Sequence, residues 1–315
     1  MDFQNVLTRN EIAIFTLRAL YNQFGYKMYK MSKFEEYDLY VKNKDFLVSE
    51  NVITFTDTDG RLMALKPDVT LSIIKNSKIT ADSLMKVYYN ENVYRVSKGT
   101  KSYKEIMQVG IEALGDVSLD TVCEVLYLAG KSLDTLSKNN VLEISHLSLV
   151  SGVLNACGVS LDGQESIFKF LGEKNVYGAL DVCQKENLSA SATDLICKLV
   201  TVYGTAEKVL PLLDAFAIDD YTLGCVTELK NILNDLTKKG IIDNVVVDFS
   251  VVNDMKYYNG VAFKGFIEGV PTGILSGGQY DNLMSKMNKK QKAIGFAVYL
   301  DELDKLSLVG GKNND

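Results

Sequence analysis

Apolar residues recur along this chain with two different periods. Ile12, Phe15, Leu17, Leu20 and Phe24 form a helical stripe over Thr8 to Phe24, with Thr8 and Asn10 as candidate caps and Gly25 as the stop. Tyr26 to Phe34 then reads as a strand, with its partner expected in Val52 to Thr56. Asp57-Thr58-Asp59-Gly60, before the strand Arg61 to Leu65, predicts a hairpin turn. The same run begins like a calcium loop but lacks the later carboxylate that such a loop needs. Pro67 bars a helix before it, and Asp68 or Thr70 caps one over Leu71 to Lys75.

Two longer strands follow, Lys86 to Arg95 and Glu105 to Ala113, antiparallel across a loop from Lys98 to Lys104. Ser118 to Ser137 is a helix that turns Val122, Val125, Leu126, Ala129 and Leu133 inward, and Val141 to Leu147 is another strand. Residues 148–239 change character. They are rich in Leu, Ala, Lys and Glu, with little strand signal and one proline, Pro211, and predict a set of short helices. Strand patterns return at Val245 to Val252, Tyr257 to Gly265 and Gly273 to Leu275. A tight glycine turn follows over Ser276 to Asp281, then a helix from Asp281 to Met287, a buried strand from Ala293 to Val298 and a closing helix from Leu300 to Leu306. The order predicts an α+β fold: an antiparallel sheet flanked by helices, with a core of 1–147 and 240–308, a helical insertion over 148–239 and a disordered tail at 309–315.

Within the strand after the Lys98 to Lys104 loop, the period of two divides the side chains sharply. Met107, Val109, Ile111 and Ala113 share an apolar face, whereas Gln108, Gly110 and Glu112 share the other. An amide, a gap and a carboxylate make a ledge for a small polar ligand, with Gly110 allowing close approach.

Composition narrows the chemistry. The 315 residues carry a net charge of -6, which argues against a broad nucleic-acid surface. Cys123, Cys157, Cys183, Cys197 and Cys225 form no C-x-x-C pair, as expected of reduced thiols in a cytoplasmic protein. His146 is the only histidine, so a histidine-built zinc site is excluded, and no metal or cofactor is expected. No G-x-G-x-x-G follows a strand, no Walker loop occurs, and no apolar run is long enough to span a membrane.

Five segments in order resemble the catalytic core of class II histidyl-tRNA synthetases and their paralogue, the regulatory subunit of ATP phosphoribosyltransferase. They are Leu65-Lys66-Pro67-Asp68-Val69-Thr70, Val93-Tyr94-Arg95 through Gly115, Tyr257-Tyr258-Asn259-Gly260-Val261-Ala262-Phe263, Gly277-Gly278-Gln279-Tyr280-Asp281-Asn282-Leu283 and Ala293-Ile294-Gly295-Phe296-Ala297. The resemblance implies a class II aminoacyl-tRNA synthetase-like core with a pocket for free histidine. Carried over by position, Asp68, Thr70 and Gln108 would hold the α-amino group, Glu112 and Tyr258 the imidazole, with Tyr257 beside them and Arg95 kept from the second motif.

Departures from the synthetase pattern separate the two relatives. Asn253 stands where a synthetase needs an arginine, Glu302 stands at the arginine of the third motif, and Ser97 replaces an acidic residue. The first-motif proline has no counterpart, with Ser32 near its place. The chain also ends just after the core, without an anticodon-binding domain. Adenylyl chemistry depends on positioned positive charge. The resemblance therefore implies a non-catalytic regulatory subunit, required for the first step of histidine biosynthesis and for feedback by histidine. Its partner would be a short-form ATP phosphoribosyltransferase catalytic subunit in a hetero-octamer, around a homodimer formed through the first helix and the strand after it. The alternatives are a histidine–tRNA ligase-like or other ATP-dependent amino-acid ligase, and an interaction module with a relic pocket.

Overall fold

The computed structural model describes residues 6–44, 47, 52–80, 83–97, 100–252 and 257–303. The expectations for Lys98, Asn253, the tail at 309–315 and the end of the closing helix beyond Leu303 lie outside the described residues.

Helix α1, Arg9–Gln23, starts at a capping box in which Thr8 and Glu11 exchange side-chain and backbone bonds. It stops at Gly25, whose φ of 81° suits only a residue without Cβ strain. Its inward face is Ala13, Leu17 and Tyr21; Ile12 and Phe15 of the expected stripe are 46% and 52% exposed. The single strand expected over Tyr26 to Phe34 is instead two short ones, β1 (Lys27–Met28) and β2 (Phe34–Glu36), because its ends join different sheets. Helix α2, Tyr37–Lys42, follows, then β3 (Thr54–Thr56) and β4 (Leu62–Leu65). β2 pairs with β4 and not with β3, giving a small sheet in the order β2-β4-β3. At the hairpin turn Asp57 accepts from the backbone N–H groups of Asp59 and Arg61, so its carboxylate builds the turn.

The main sheet grows from the long pair β5 (Leu84–Val96) and β6 (Tyr103–Gly115), reached through α3 (Val69–Asn76). Helix α4, Leu119–Leu136, runs between caps Ser118 and Ser137 and leads to β7 (Asn140–His146). His146 ends that strand by capping α5 (Leu147–Ala156), its Nδ1 accepting from Leu149 N–H at 3.1 Å. Helices α6 (Leu161–Gly172), α7 (Val176–Lys185), α8 (Ala190–Thr201), α9 (Ala206–Leu213) and α10 (Asp220–Lys238) follow. Between α8 and α9 lies a strand that composition concealed, β8 (Tyr203–Thr205).

Then come β9 (Val245–Asp248), β10 (Val261–Ile267), β11 (Leu275–Gln279), α11 (Asp281–Lys286) and β12 (Lys292–Tyr299). The glycine turn expected over Ser276 to Asp281 is in fact mostly β11, a central strand. A Cβ at Gly277 would stand 2.4 Å from Phe296 Cβ and 2.6 Å from the Phe263 ring, so that glycine marks tight packing.

The main sheet has nine strands in the order β1-β5-β6-β12-β11-β10-β7-β9-β8. It is mixed and not purely antiparallel: β1 runs parallel to β5 and β7 parallel to β9. The β7-to-β9 connection passes through the helical segment, the long crossover that a parallel pair requires. On one face α1 and α4 cover Val109, Ile111, Ala113, Ile294, Phe296 and Val298, with Tyr21 edge-on to Phe296 at 5.9 Å. The opposite face carries the polar side chains. Among the described residues no helix is long and apolar enough to cross a membrane.

Candidate functional site

The polar face is organised by register. Residues directly opposite in neighbouring strands share a face. Glu112 on β6 lies opposite Val87 on β5 and Gly295 on β12, and the same row continues through Gly278, Ala262 and Ser145. With no side chain at Gly295, the Glu112 carboxylate folds flat across β12. A Cβ there would stand 1.8 Å from Glu112 Oε2. Thr70 Oγ1 donates to Oε1 at 2.7 Å and Tyr280 OH donates to Oε2 at 2.5 Å. Only 2% of Glu112 is exposed. Burial pushes its carboxyl up to about 8; the Tyr280 and Thr70 hydroxyls oppose that rise, and the Asp68 charge adds to it.

Thr70 reaches this position because Asp68 caps α3, its Oδ1 accepting from Leu71 N–H at 2.9 Å. Burial raises the Asp68 carboxyl as well, against the Leu71 N–H and the Arg95 charge. Arg95 is tied to the same loop, donating from Nε to Pro67 O at 3.0 Å. Beneath that loop Lys66, with no exposed surface, bonds Glu91 at 2.9 Å; burial lowers its ammonium and the Glu91 bond resists that. Glu91 lies opposite Gln108, which in turn lies opposite Tyr299.

The aromatic wall comes from three tyrosines. The rings of Tyr257 and Tyr258 meet edge to face at 4.9 Å, and Tyr257 lies 5.8 Å from Tyr280. Tyr258 covers Gly278, where a Cβ would stand 2.7 Å from its ring. Over Gly110, where the sequence suggested open space, the structure places the phenol of Tyr89, 2.5 Å from the position a Cβ would take. Asp68, Thr70, Glu112, Tyr257 and Tyr258 are thus gathered at one place, with Arg95 and Gln108 at its border. The sequence reading gave no role to Tyr89, Tyr280 or Gly295. Tyr89 could have been found from the β5–β6 hairpin, whose register sets it opposite Gly110. No local signal pointed the Tyr280 hydroxyl at Glu112.

The family model for histidyl-tRNA synthetase matches residues 6–303. The chain belongs to the histidyl-tRNA synthetase family. Within that family it is similar to proteins named ATP phosphoribosyltransferase regulatory subunit. It is 26% identical to the one from Ruminiclostridium cellulolyticum, over 91% of this chain and 70% of that one. It is likewise 26% identical to the one from Acetivibrio thermocellus, over 90% and 68%. Among solved structures, a regulatory subunit/histidyl-tRNA synthetase from Bacillus halodurans shares the fold with a TM-score of 0.83 at 24% identity, over 95% and 79% of the two chains. The ATP phosphoribosyl transferase (HisG:HisZ) complex from Thermotoga maritima shares it with a TM-score of 0.73 at 19% identity, over 95% and 98%.

Two positions at which the sequence departs from the synthetase pattern are among the described residues. Glu302 lies in the last described helical turn and accepts a hydrogen bond from the Thr272 hydroxyl. Ser97 follows β5 directly and accepts from Lys101 N–H through its carbonyl oxygen, within the β5–β6 turn.

Proposed function

We propose that this chain is the non-catalytic regulatory subunit of ATP phosphoribosyltransferase, needed for the first step of histidine biosynthesis and sensitive to histidine. The observation that carries this is an asymmetry in the site. Glu112, read as the imidazole end, is buried among the Thr70 and Tyr280 hydroxyls, whereas Glu302, read as the phosphate end, is a carboxylate bonded to Thr272. Glu112 still has lone pairs beyond those used by Thr70 and Tyr280, and below about pH 8 its carboxyl keeps its proton. An imidazole nitrogen laid against it can accept that proton, and the resulting imidazolium–carboxylate contact is a charge-assisted bond. Tyr258 would form the opposite wall, with Asp68 and Gln108 toward the α-amino group. Feedback then requires that histidine bind one state of the assembly better than another.

The catalytic partner is a short-form ATP phosphoribosyltransferase in a hetero-oligomer, for which an octamer is the expected form. A homodimer through α1 is supported by the outward Ile12 and Phe15. The test is co-purification from the native host, followed by histidine inhibition of the reconstituted complex with wild type, Glu112→Gln and Tyr258→Phe. A phosphoribosyltransferase subunit should come down with this chain. Both variants should need at least about tenfold more histidine, the equivalent of a lost hydrogen bond to a charged group. Unchanged inhibition in both places the regulatory site elsewhere.

A further inference from the structure

Beside Tyr258, on the same face of the sheet, lies a second feature that the family resemblance does not assign. Ala262 to Lys264 of β10 and Ser276 of β11 floor a small hollow, walled by Leu147, Val251 and Tyr258. Its size is about that of one water molecule, which is also the size of one carboxylate oxygen. Two polar observations mark it as more than a packing defect. Lys264 lies opposite Glu143, whose carboxyl burial raises; the Asp248 charge adds to that rise, and the Lys174 and Lys264 charges oppose it. Among the described residues no ion pair takes the Lys264 ammonium. Ser145 does not line the hollow but lies directly opposite Ala262 on the next strand; it has no exposed surface and its Oγ has no hydrogen-bond partner. A buried hydroxyl without a partner is costly in a finished core. The wall at Ser276 is itself polar, its Oγ meeting Tyr299 OH at 2.9 Å.

We infer that this hollow is the carboxylate subsite of the amino-acid pocket, with Lys264 as the cation that holds the ligand's carboxylate. This rests on the reading of Glu112 as the imidazole end. Lys264 stands two strands across and one register pair along from Gly295, over which the Glu112 carboxylate lies. That is about 12 Å between Cα atoms, a span that a lysine side chain and a bound histidine cover together. Tyr258 lies over Gly278, the neighbour of Gly295 in the row, and also lines the hollow, so one ring borders both. The synthetase pattern places an arginine near the ligand's carboxylate; Lys264 supplies a positive charge to the same group from a different strand.

The test compares histidine with histidinol, which lacks the carboxylate, by calorimetry on the full chain. Wild type should prefer histidine by roughly tenfold or more, the ratio that one charge-assisted bond produces. Lys264→Met should bring that ratio close to one while leaving histidinol affinity unchanged, and Lys264→Arg should restore most of it. Thermal melting of each variant confirms folding, and Lys264→Gln serves if the methionine variant does not fold. If the wild-type ratio is near one, or Lys264→Met and Lys264→Gln both keep it, the carboxylate is held elsewhere and the inference is wrong. If neither compound binds wild type, the histidine reading itself fails and this subsite falls with it.

Discussion

Glu112→Gln should remove the pH dependence of stability that this one carboxyl imposes. In the folded chain burial holds the group near 8, against an ordinary value of 4.5. Between those two values the unfolded chain has released the proton and the folded chain keeps it. The folded state then binds more protons, so stability falls as pH rises, by about 1.4 kcal/mol per pH unit. From pH 4.5 to 8 the total is on the order of 4–5 kcal/mol, most of the margin of an ordinary domain. Glutamine cannot ionise. Its carbonyl oxygen still accepts from one hydroxyl, and its NH2 donates to the other, which turns from donor to acceptor. That rearrangement costs about 0.5–1.5 kcal/mol at every pH. The two stability curves should therefore cross at about pH 5, with the variant ahead by several kcal/mol near pH 8.5. Asp68 is raised by burial too, so the difference between the two proteins, not either curve alone, isolates Glu112. Urea unfolding at pH 5, 6.5 and 8.5 and constant ionic strength measures it. A difference that stays constant over that range would show that Glu112 is ionised throughout and refute the argument.

Gly295→Ala should destabilise the fold by about 1–3 kcal/mol or more, since its Cβ would meet Glu112 Oε2 at 1.8 Å and Ile111 O at 2.5 Å; a thermal midpoint equal to wild type would contradict the flat carboxylate. Histidine-dependent pyrophosphate exchange should be absent, because Glu302 opposes the binding of a triphosphate; exchange at the rate of a synthetase would overturn the non-catalytic reading.

The sequence announced most of the scaffold where one local rule dominated. Thr8 and Ser118 sit where cap chemistry puts them, and Ser137 closes α4 as expected. Gln108, Gly110 and Glu112 share a face because strand periodicity leaves no other choice. Local rules failed where tertiary pairing decided. Ser276 to Gln279 reads as a turn because Gly277 and Gly278 favour one, but the rings of Phe263 and Tyr258 need the space that two missing side chains leave. The strand over Tyr26 to Phe34 divides because β5 claims one end and β4 the other. In the site, the residues that touch Glu112 come from α3, β12 and the residue before α11, and only the closed sheet brings them together. Tyr89 needed one further step: the gap at Gly110 shows in the strand pattern, but only the β5–β6 register sets a ring over it.

The short strand β8 changes what the helical segment can do mechanically. Its backbone is bonded to β9 at Thr205 and Val246, and β9 is bonded to β7. At the other end of the segment His146, the cap of α5, points Nε2 toward Glu228 of α10 at 3.6 Å, and the imidazole holds the Glu228 carboxyl below its ordinary value. The helices are therefore joined to the sheet at both seams and not only through their connecting loops. A partner that grips them has hold of β7, and Ser145 on that strand ends the row that begins at Glu112. A load on the helices would therefore reach that row through β9 and β7 themselves, without any loop having to carry it.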